Sequence, residues 1–252
     1  MHLIDKLYEA DYDFPIWEGG ISKNCMLATT PRSGSTYLSI KLWQAGMLGA
    51  PMEYFFFNSM KNLIKRLGFG DYSNMNNEAI LHYWERVTEL RTSPNGVFSY
   101  KMFMPHLGLI IDKHKDLFKK IRPEYIIYLT RDDILGQAIS HYRAIKSRAW
   151  FKDVPGENVE YNYAEIKSLM ESITIQQKSW ESIFTLLGVT PMRVNYEQFL
   201  QSEEKIIQDV FDFIGEKYVQ TSRMSIPLIK AQADELSSEW RDRFLLEHEE
   251  LR

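Results

Sequence analysis

The sequence predicts an α/β fold: a central, mainly parallel sheet flanked by helices, with a helical cap. Three observations predict it. Short β-prone apolar runs recur along the chain, too short to serve as buried helices. Helical stretches separate them, and strands divided in that way pair in parallel with their helices on the sheet faces. The first strand-to-helix junction, TPRSGST at 30–36, carries the proline, glycine and small hydroxyl residues of a tight loop.

The elements follow in order. NCMLATT (24–30) is a buried strand. From Ser35 onward Tyr37, Leu38, Ile40, Leu42 and Trp43 suit a helix, with Ser35 or Thr36 near its N-cap and Gly46 at its C-terminal end. Residues 77–91 are helical, and GVFSYKMF (96–103) alternates as a strand does. YIIYLTR (125–131) is a strongly β-prone run. DDILGQAISHYRAIKSR (132–148) follows as a helix, with acids in its first turn and Arg and Lys in its last, as the helix dipole favours. A long helix spans roughly 162–187, MRVNY (192–196) is another strand, and amphipathic helices at about 203–214 and 235–249 complete the pattern. No repeat, low-complexity tract or Pro/Gly/Ser-rich linker divides these elements. Residues 1–252 therefore read as one domain, with helical excursions at about 57–91 and 147–187 as the cap over the sheet edge.

Composition narrows the function. A chain of 252 residues, 44% hydrophobic, is long enough for one sizeable core, and its aromatic share of 13% furnishes an aromatic-lined cleft. The formal charge of −4 argues against the broad basic field that nucleic acid needs, so the basic residues that matter gather around one small anion. The single cysteine, Cys25, rules out an internal disulfide framework and reads as a buried, inert thiol. The N-terminus has acids and aromatics but no basic segment followed by an apolar stretch, so it does not read as a signal peptide. No apolar run approaches the roughly 18 residues of a membrane span. A soluble, cytoplasmic protein without membrane insertion is the expectation.

Strand, TPRSGST and helix together have the layout of a phosphate cradle. The N–H groups of the first helical turn have no intrahelical acceptor, and the helix dipole adds partial positive charge there. Gly34 lets the backbone approach an anion, Ser33, Ser35 and Thr36 offer hydroxyl donors, and Arg32 offers a planar fork for two oxygens. The nucleotide triphosphatase loop GxxxxGK[ST] is absent: no glycine stands five residues before Gly34, and Ser35 occupies the lysine position. The competing reading is an ordinary strand–helix turn. A second strand–helix junction has Arg131 leaving its strand and Ser140 nine positions later on the helix. These can converge on a second anion in the same crevice at the carboxyl ends of parallel strands. Alternatively, Arg131 pairs with Asp132 or Asp133 and Ser140 merely packs.

Taken together these residues resemble the PAPS-dependent sulfotransferases, and more closely the bacterial trehalose 2-sulfotransferase-like family. The resemblance covers TPRSGSTYL, GAPMEYF (49–55), YKMF (100–103), RDDILGQAISHYRA (131–144), RVNYEQFL (193–200) and QADELSSEWRDRF (232–244). It implies a P-loop-like three-layer fold and transfer of a sulfuryl group from 3′-phosphoadenosine-5′-phosphosulfate (PAPS) to a hydroxyl of a carbohydrate or small glycoside. It also implies direct in-line transfer, a homodimer and no metal. Pro31, Arg32, Ser33, Gly34, Ser35 and Thr36 match the loop that binds the 5′-phosphosulfate, and Arg131 and Ser140 match the pair that holds the 3′-phosphate. Glu53, in the EYF motif, falls on the family's base. Lys101 matches a lysine that reaches the sulfonate in the cytosolic enzymes, whereas their catalytic histidine position is Phe103 here. The aromatic run Tyr54, Phe55, Phe56 and Phe57 beside Glu53 then serves to wall out water.

Several residues carry alternatives. Glu53 caps or pairs at a helix starting near residue 57, with His106 the fallback base; Lys101 snorkels to solvent; His141 is structural; Trp240 and Arg243 belong to core or dimer packing. Ala231 stands where relatives commonly have arginine, and Asp132 and Gly136 replace residues that are often basic, so Arg143 or Lys230 are candidates to complete the 3′-phosphate grip. Two further function classes remain beside this one: an atypical nucleotide kinase using Mg-ATP, and a catalytically inactive nucleotide-binding scaffold.

Overall fold

The computed structural model describes residues 3–57, 60–150, 157–218, 225–227 and 235–250. Four strands, β1 (Lys23–Thr29), β2 (Val97–Phe103), β3 (Tyr125–Thr130) and β4 (Met192–Asn195), form one sheet in the order β2-β1-β3-β4. Every pairing is parallel, with Leu27 opposite Lys101 on one side and Ile127 on the other. The helices are α1 (Leu3–Lys6), α2 (Ser35–Gln44), α3 (Lys61–Arg66), α4 (Asn77–Arg91), α5 (Met104–Lys113), α6 (Lys115–Lys120), α7 (Ile134–Ser147), α8 (Tyr163–Leu187), α9 (Tyr196–Gln201), α10 (Glu203–Ile214) and α11 (Glu235–Glu250).

Strand periodicity of two builds the three layers. Cys25 and Leu27 of β1, with Ile127 and Leu129 of β3, pack against Leu38 and Leu42 of α2 and Val210, Phe211 and Ile214 of α10. Met26 and Ala28, with Ile126 and Tyr128, face the opposite way toward Trp180 and Phe184 of α8 and an aromatic group from β2 and α4. Both faces are thus covered, which is why the parallel strands read as near-continuous apolar runs. All seven residues of β2 are buried, so its alternation of Ser99 and Lys101 with apolar neighbours marks polar groups turned inward. Ser99 Oγ, for instance, donates to Leu48 O.

The structure differs from the sequence expectation in several places, each with a local cause. Gly34, in a left-handed conformation and with no side-chain cap bond, is the N-cap of α2 in place of Ser35 or Thr36. β4 stops at Asn195, whose side chain accepts from Gln198 N–H and starts α9 at Tyr196. α5, with Pro105 in its first turn, and α6 fill a stretch with no predicted element. The two helical excursions are partly core: Ile80, Tyr83, Trp84 and Val87 of α4 join the aromatic group, and α8 buries its C-terminal half on the sheet. The N-terminal half of α8 instead forms a separate apolar cluster with α7 and α11, through Ile166, Ile173, Leu135, Ile139, Trp240 and Phe244.

Candidate active site

The residues singled out in the sequence gather at the carboxyl ends of β1 and β3. Thr29, the last residue of β1, has its carbonyl held by Trp180 Nε1 of α8 at 2.9 Å. Fully buried Gln137 of α7 donates from Nε2 to Thr30 Oγ1 at 2.8 Å and to Pro31 O at 2.6 Å. These ties hold a strained loop. Arg32 sits at φ 64°, left-handed for a residue with a Cβ, and Gly34 at φ 86°. Gly34 also lies against the Tyr196 ring so closely that a Cβ would collide with it. The Ser33 hydroxyl points inward, contrary to the expected ligand-facing donor. Thr29 gives its own proton to Leu129 O (3.0 Å), so Ser33 Oγ, 2.6 Å away, donates to Thr29. Ser35 is buried at the start of α2, and half-buried Thr36 accepts at Oγ1 from Lys101 Nζ (3.0 Å), leaving its own hydroxyl proton free to be donated.

The second arm meets the first. Arg32 Nε donates to Ser140 Oγ at 3.0 Å and Arg32 Nη1 to Trp150 O at 2.7 Å. Arg131 Nη1 reaches Arg32 O at 3.4 Å, and its guanidinium lies over the Tyr196 ring. Arg131 also bonds Asp133 Oδ2 at 3.1 Å, so the ion pair weighed against an anion-binding role is present. Its Nε nevertheless has no hydrogen-bond partner among the described residues, with Glu197 Oε1 3.9 Å away. Burial and the neighbouring Arg131 charge push Arg32 down to about 10, with Tyr196 opposing. Two guanidinium groups that repel each other beside a helix N-terminus fit a doubly anionic ligand. The imidazole of His141 is pushed down to about 4 by burial and by Arg32, so it is neutral at pH 7, and its Nδ1 is unpartnered among the described residues.

Glu53 and Lys101 form the other end of the site. Residue 52 bridges Tyr100 at the edge of β2, and Lys101 N–H donates to Met52 O at 2.8 Å. That register sets Glu53 beside Lys101, whose Nζ lies 2.9 Å from Glu53 Oε1. Lys101 is 1% exposed, so it does not snorkel, and Glu53 pairs with it without capping a helix. Lys101 thereby touches both the phosphate-type loop, through Thr36, and the candidate base. Tyr8, from the N-terminal segment, accepts the Glu53 backbone N–H at 3.2 Å.

The expected aromatic wall divides. Tyr54, Phe55 and Phe57 are core residues, while Phe56 is exposed and stacks on His106 at 4.5 Å between ring centres. Burial holds His106 below its usual range, with Glu53 pulling it up and Lys101 down. Arg143 is engaged with α11, donating to Ser237 Oγ and lying over Trp240. Trp240 is core and Arg243 lies 4.1 Å over the Tyr161 ring. Lys230 and Ala231 fall outside the described residues. Among the described residues no group of His, Cys, Asp and Glu could hold a metal, and no helix is long and apolar enough to cross a membrane.

Sequence reasoning missed Gln137, Tyr196, Glu197, Trp180 and Tyr8. Gln137, Tyr196 and Glu197 lay inside quoted motifs, but only the tertiary contact shows what each holds. A cleft of about 830 Å³ between α7, α8 and α11 is lined by Asp133 and Arg241, and by none of Arg32, Lys101 or Glu53.

The model of the Stf0 sulphotransferase family matches residues 24–247. The trehalose 2-sulfotransferase of Mycolicibacterium smegmatis (strain ATCC 700084 / mc(2)155) is 25% identical, over 87% of this chain and 93% of the relative. That of Mycobacterium tuberculosis (strain ATCC 35801 / TMC 107 / Erdman) is 23% identical, over 88% and 94%. A solved sulfotransferase from Alicyclobacillus acidocaldarius aligns with a TM-score of 0.48 and 12% identity, covering 88% of this chain and 91% of that one.

Proposed function

This chain belongs to the Stf0 sulphotransferase family, and on that premise we propose that it moves a sulfuryl group from PAPS to a hydroxyl of trehalose or a related small glycoside. The observation that carries the proposal is the position of Lys101, bonded at once to Thr36 of the loop and to Glu53. One buried cation thus joins the place where charge leaves to the place where a proton must be taken.

The residues act as follows. The first-turn N–H groups of α2, Thr36 and Arg32 bind the 5′-phosphosulfate, and Arg131 with Ser140 the 3′-phosphate. The fit rests on the paired guanidinium groups and the unpartnered Arg131 Nε. The acceptor oxygen attacks sulfur in line, and its proton passes to the Glu53 carboxylate as the new bond forms. The sulfur–oxygen bond to the 5′-phosphate breaks, and its electron pair leaves with the bisphosphate. Lys101 and Arg32 meet the charge that gathers there, an electrostatic contribution that a preorganised site makes without moving. Phe56, exposed and stacked on His106, offers its free aromatic face to the sugar. No metal takes part in this reading, and the cytoplasm, where the lone Cys25 stays reduced, is the compartment it takes.

The test is transfer itself. Wild-type protein with PAPS and trehalose should yield a singly sulfated sugar by mass spectrometry. Glu53→Gln should lower kcat by about 10²–10⁴, the usual worth of a general base, without weakening adenosine 3′,5′-bisphosphate binding. Arg131→Ala should weaken that binding. A protein that ignores the bisphosphate and binds Mg-ATP, or that binds it and sulfates no sugar, would refute the proposal.

A further inference from the structure

Arg131 does not stand alone at the second arm. Two carboxylates face it: Asp133, bonded at 3.1 Å, and Glu197, 3.9 Å from its Nε. Unopposed, they would neutralise the charge that an anion must find. Asp133 has a second cation on its far side. Arg241, which reaches across from α11, bonds Asp133 Oδ1, and Gly136 N–H donates to the same oxygen at 3.0 Å. Burial disfavours the Asp133 anion, yet Arg241, the Gly136 N–H and Arg131 together hold its carboxyl below the ordinary range. Gly136 is what admits the Asp133–Arg241 pair: a Cβ there would fall 2.0 Å from Asp133 Oδ2 and 2.7 Å from Arg241 Nη2.

From this geometry we propose that Arg241 is a positioning residue for Arg131, acting through Asp133, and that the absence of a side chain at Gly136 is required for it to do so. Arg241 takes up the Asp133 charge, keeps that carboxylate from capturing Arg131 outright, and fixes the guanidinium beneath the 3′-phosphate. The C-terminal helix, remote in sequence from both strand–helix junctions, thereby sets selectivity for a nucleotide bearing a 3′-phosphate. The inference rests on the reading of Arg131 as a 3′-phosphate ligand.

The test compares adenosine 3′,5′-bisphosphate with adenosine 5′-monophosphate by calorimetry. Wild type should prefer the bisphosphate. Arg241→Ala should cut bisphosphate affinity about tenfold, the scale of one weakened charge-assisted contact, and leave the monophosphate unchanged. Arg241→Lys should recover part of the loss. Gly136→Ala keeps every charge and should reproduce the Arg241→Ala pattern, which separates positioning from a change in net charge. With PAPS as donor, its KM should rise while the acceptor KM and kcat hold. If Arg131→Ala abolishes the preference but Arg241→Ala and Gly136→Ala shift both nucleotides equally, or only lower the melting temperature, the inference falls alone. If wild type shows no preference, the reading of Arg131 fails and takes the inference with it.

Discussion

Replacing Lys101 with methionine separates a structural lysine from a catalytic one. The side chain is 1% exposed, and its ammonium donates to Glu53 at 2.9 Å and Thr36 at 3.0 Å. Bonds from a charged donor contribute about 1.5–3 kcal/mol each. Against them stands the burial of the ammonium itself, which costs several kcal/mol. Methionine fills nearly the same volume without that cost. Glu53 keeps 22% of its side chain in solvent, so water can replace the lost partner. The terms oppose each other, and unfolding stability should change by less than about 2 kcal/mol. The rate has no such offset. Removing one preorganised donor from developing charge costs roughly 10²–10³ in kcat, and bisphosphate affinity, which Arg131 and the loop supply, should stay within about threefold. Steady-state kinetics with varied PAPS, a urea melt and bisphosphate calorimetry on one preparation decide it. A kcat within tenfold of wild type, or an activity loss that only tracks a fallen melting midpoint, would refute the reasoning.

Three further expectations concern the surroundings of the site. Gly34→Ala combines a left-handed φ, worth about 1–2 kcal/mol, with overpacking against Tyr196, worth about 1–3 kcal/mol. The sum of about 2–5 kcal/mol should shrink to the backbone part in a Tyr196→Ala background, and equal losses in both backgrounds would rule out the collision. Burial and Arg32 hold His141 at about 4, below its ordinary 6.5, so the unfolded chain takes up its proton first and stability falls as pH drops from about 6.5 toward 4. His141→Gln should remove up to about 3 kcal/mol of that slope, and superimposable pH–stability curves would show the imidazole to be solvated. Burial pushes the Cys25 thiol up to about 12, with Ser99 opposing. The native protein should leave a thiol reagent unreacted until denaturant is added, and a fast native reaction would contradict the burial of β1.

Much of this was legible because it is local. β1 and β3 are apolar on both faces and bounded by Pro31 and Asp132, so their length and type follow from the residues themselves. The Pro-Arg-Ser-Gly loop likewise announces the strand-to-helix junction at which α2 begins. What could not be read is where distant segments meet. Glu53 and Lys101 lie 48 positions apart, and their pairing depends on the bridge between Met52 and Tyr100 at the sheet edge. The aromatic run at 54–57 looked uniform, but a short turn sends Tyr54, Phe55 and Phe57 inward and leaves Phe56 outside. Ser33 carries the right hydroxyl and spends it on Thr29. Gly136 looked like a lost basic residue, and only the crossing of α11 shows that the vacant volume is used.

The bonds from Gln137 to Thr30 and Pro31 have a mechanical consequence. Gln137 is one turn before Ser140 on the same helix, so α7 carries both the clasp on the first loop and a contact for the second arm. The first loop and the start of the second arm are thus bolted to a single girder. Such a part works as a spacer of set length, the three-residue rise from Gln137 to Ser140 being about 4.5 Å. A displacement of the loop at Thr30 or Pro31 must therefore be met by one along that helix, although the two segments lie about a hundred residues apart in the chain.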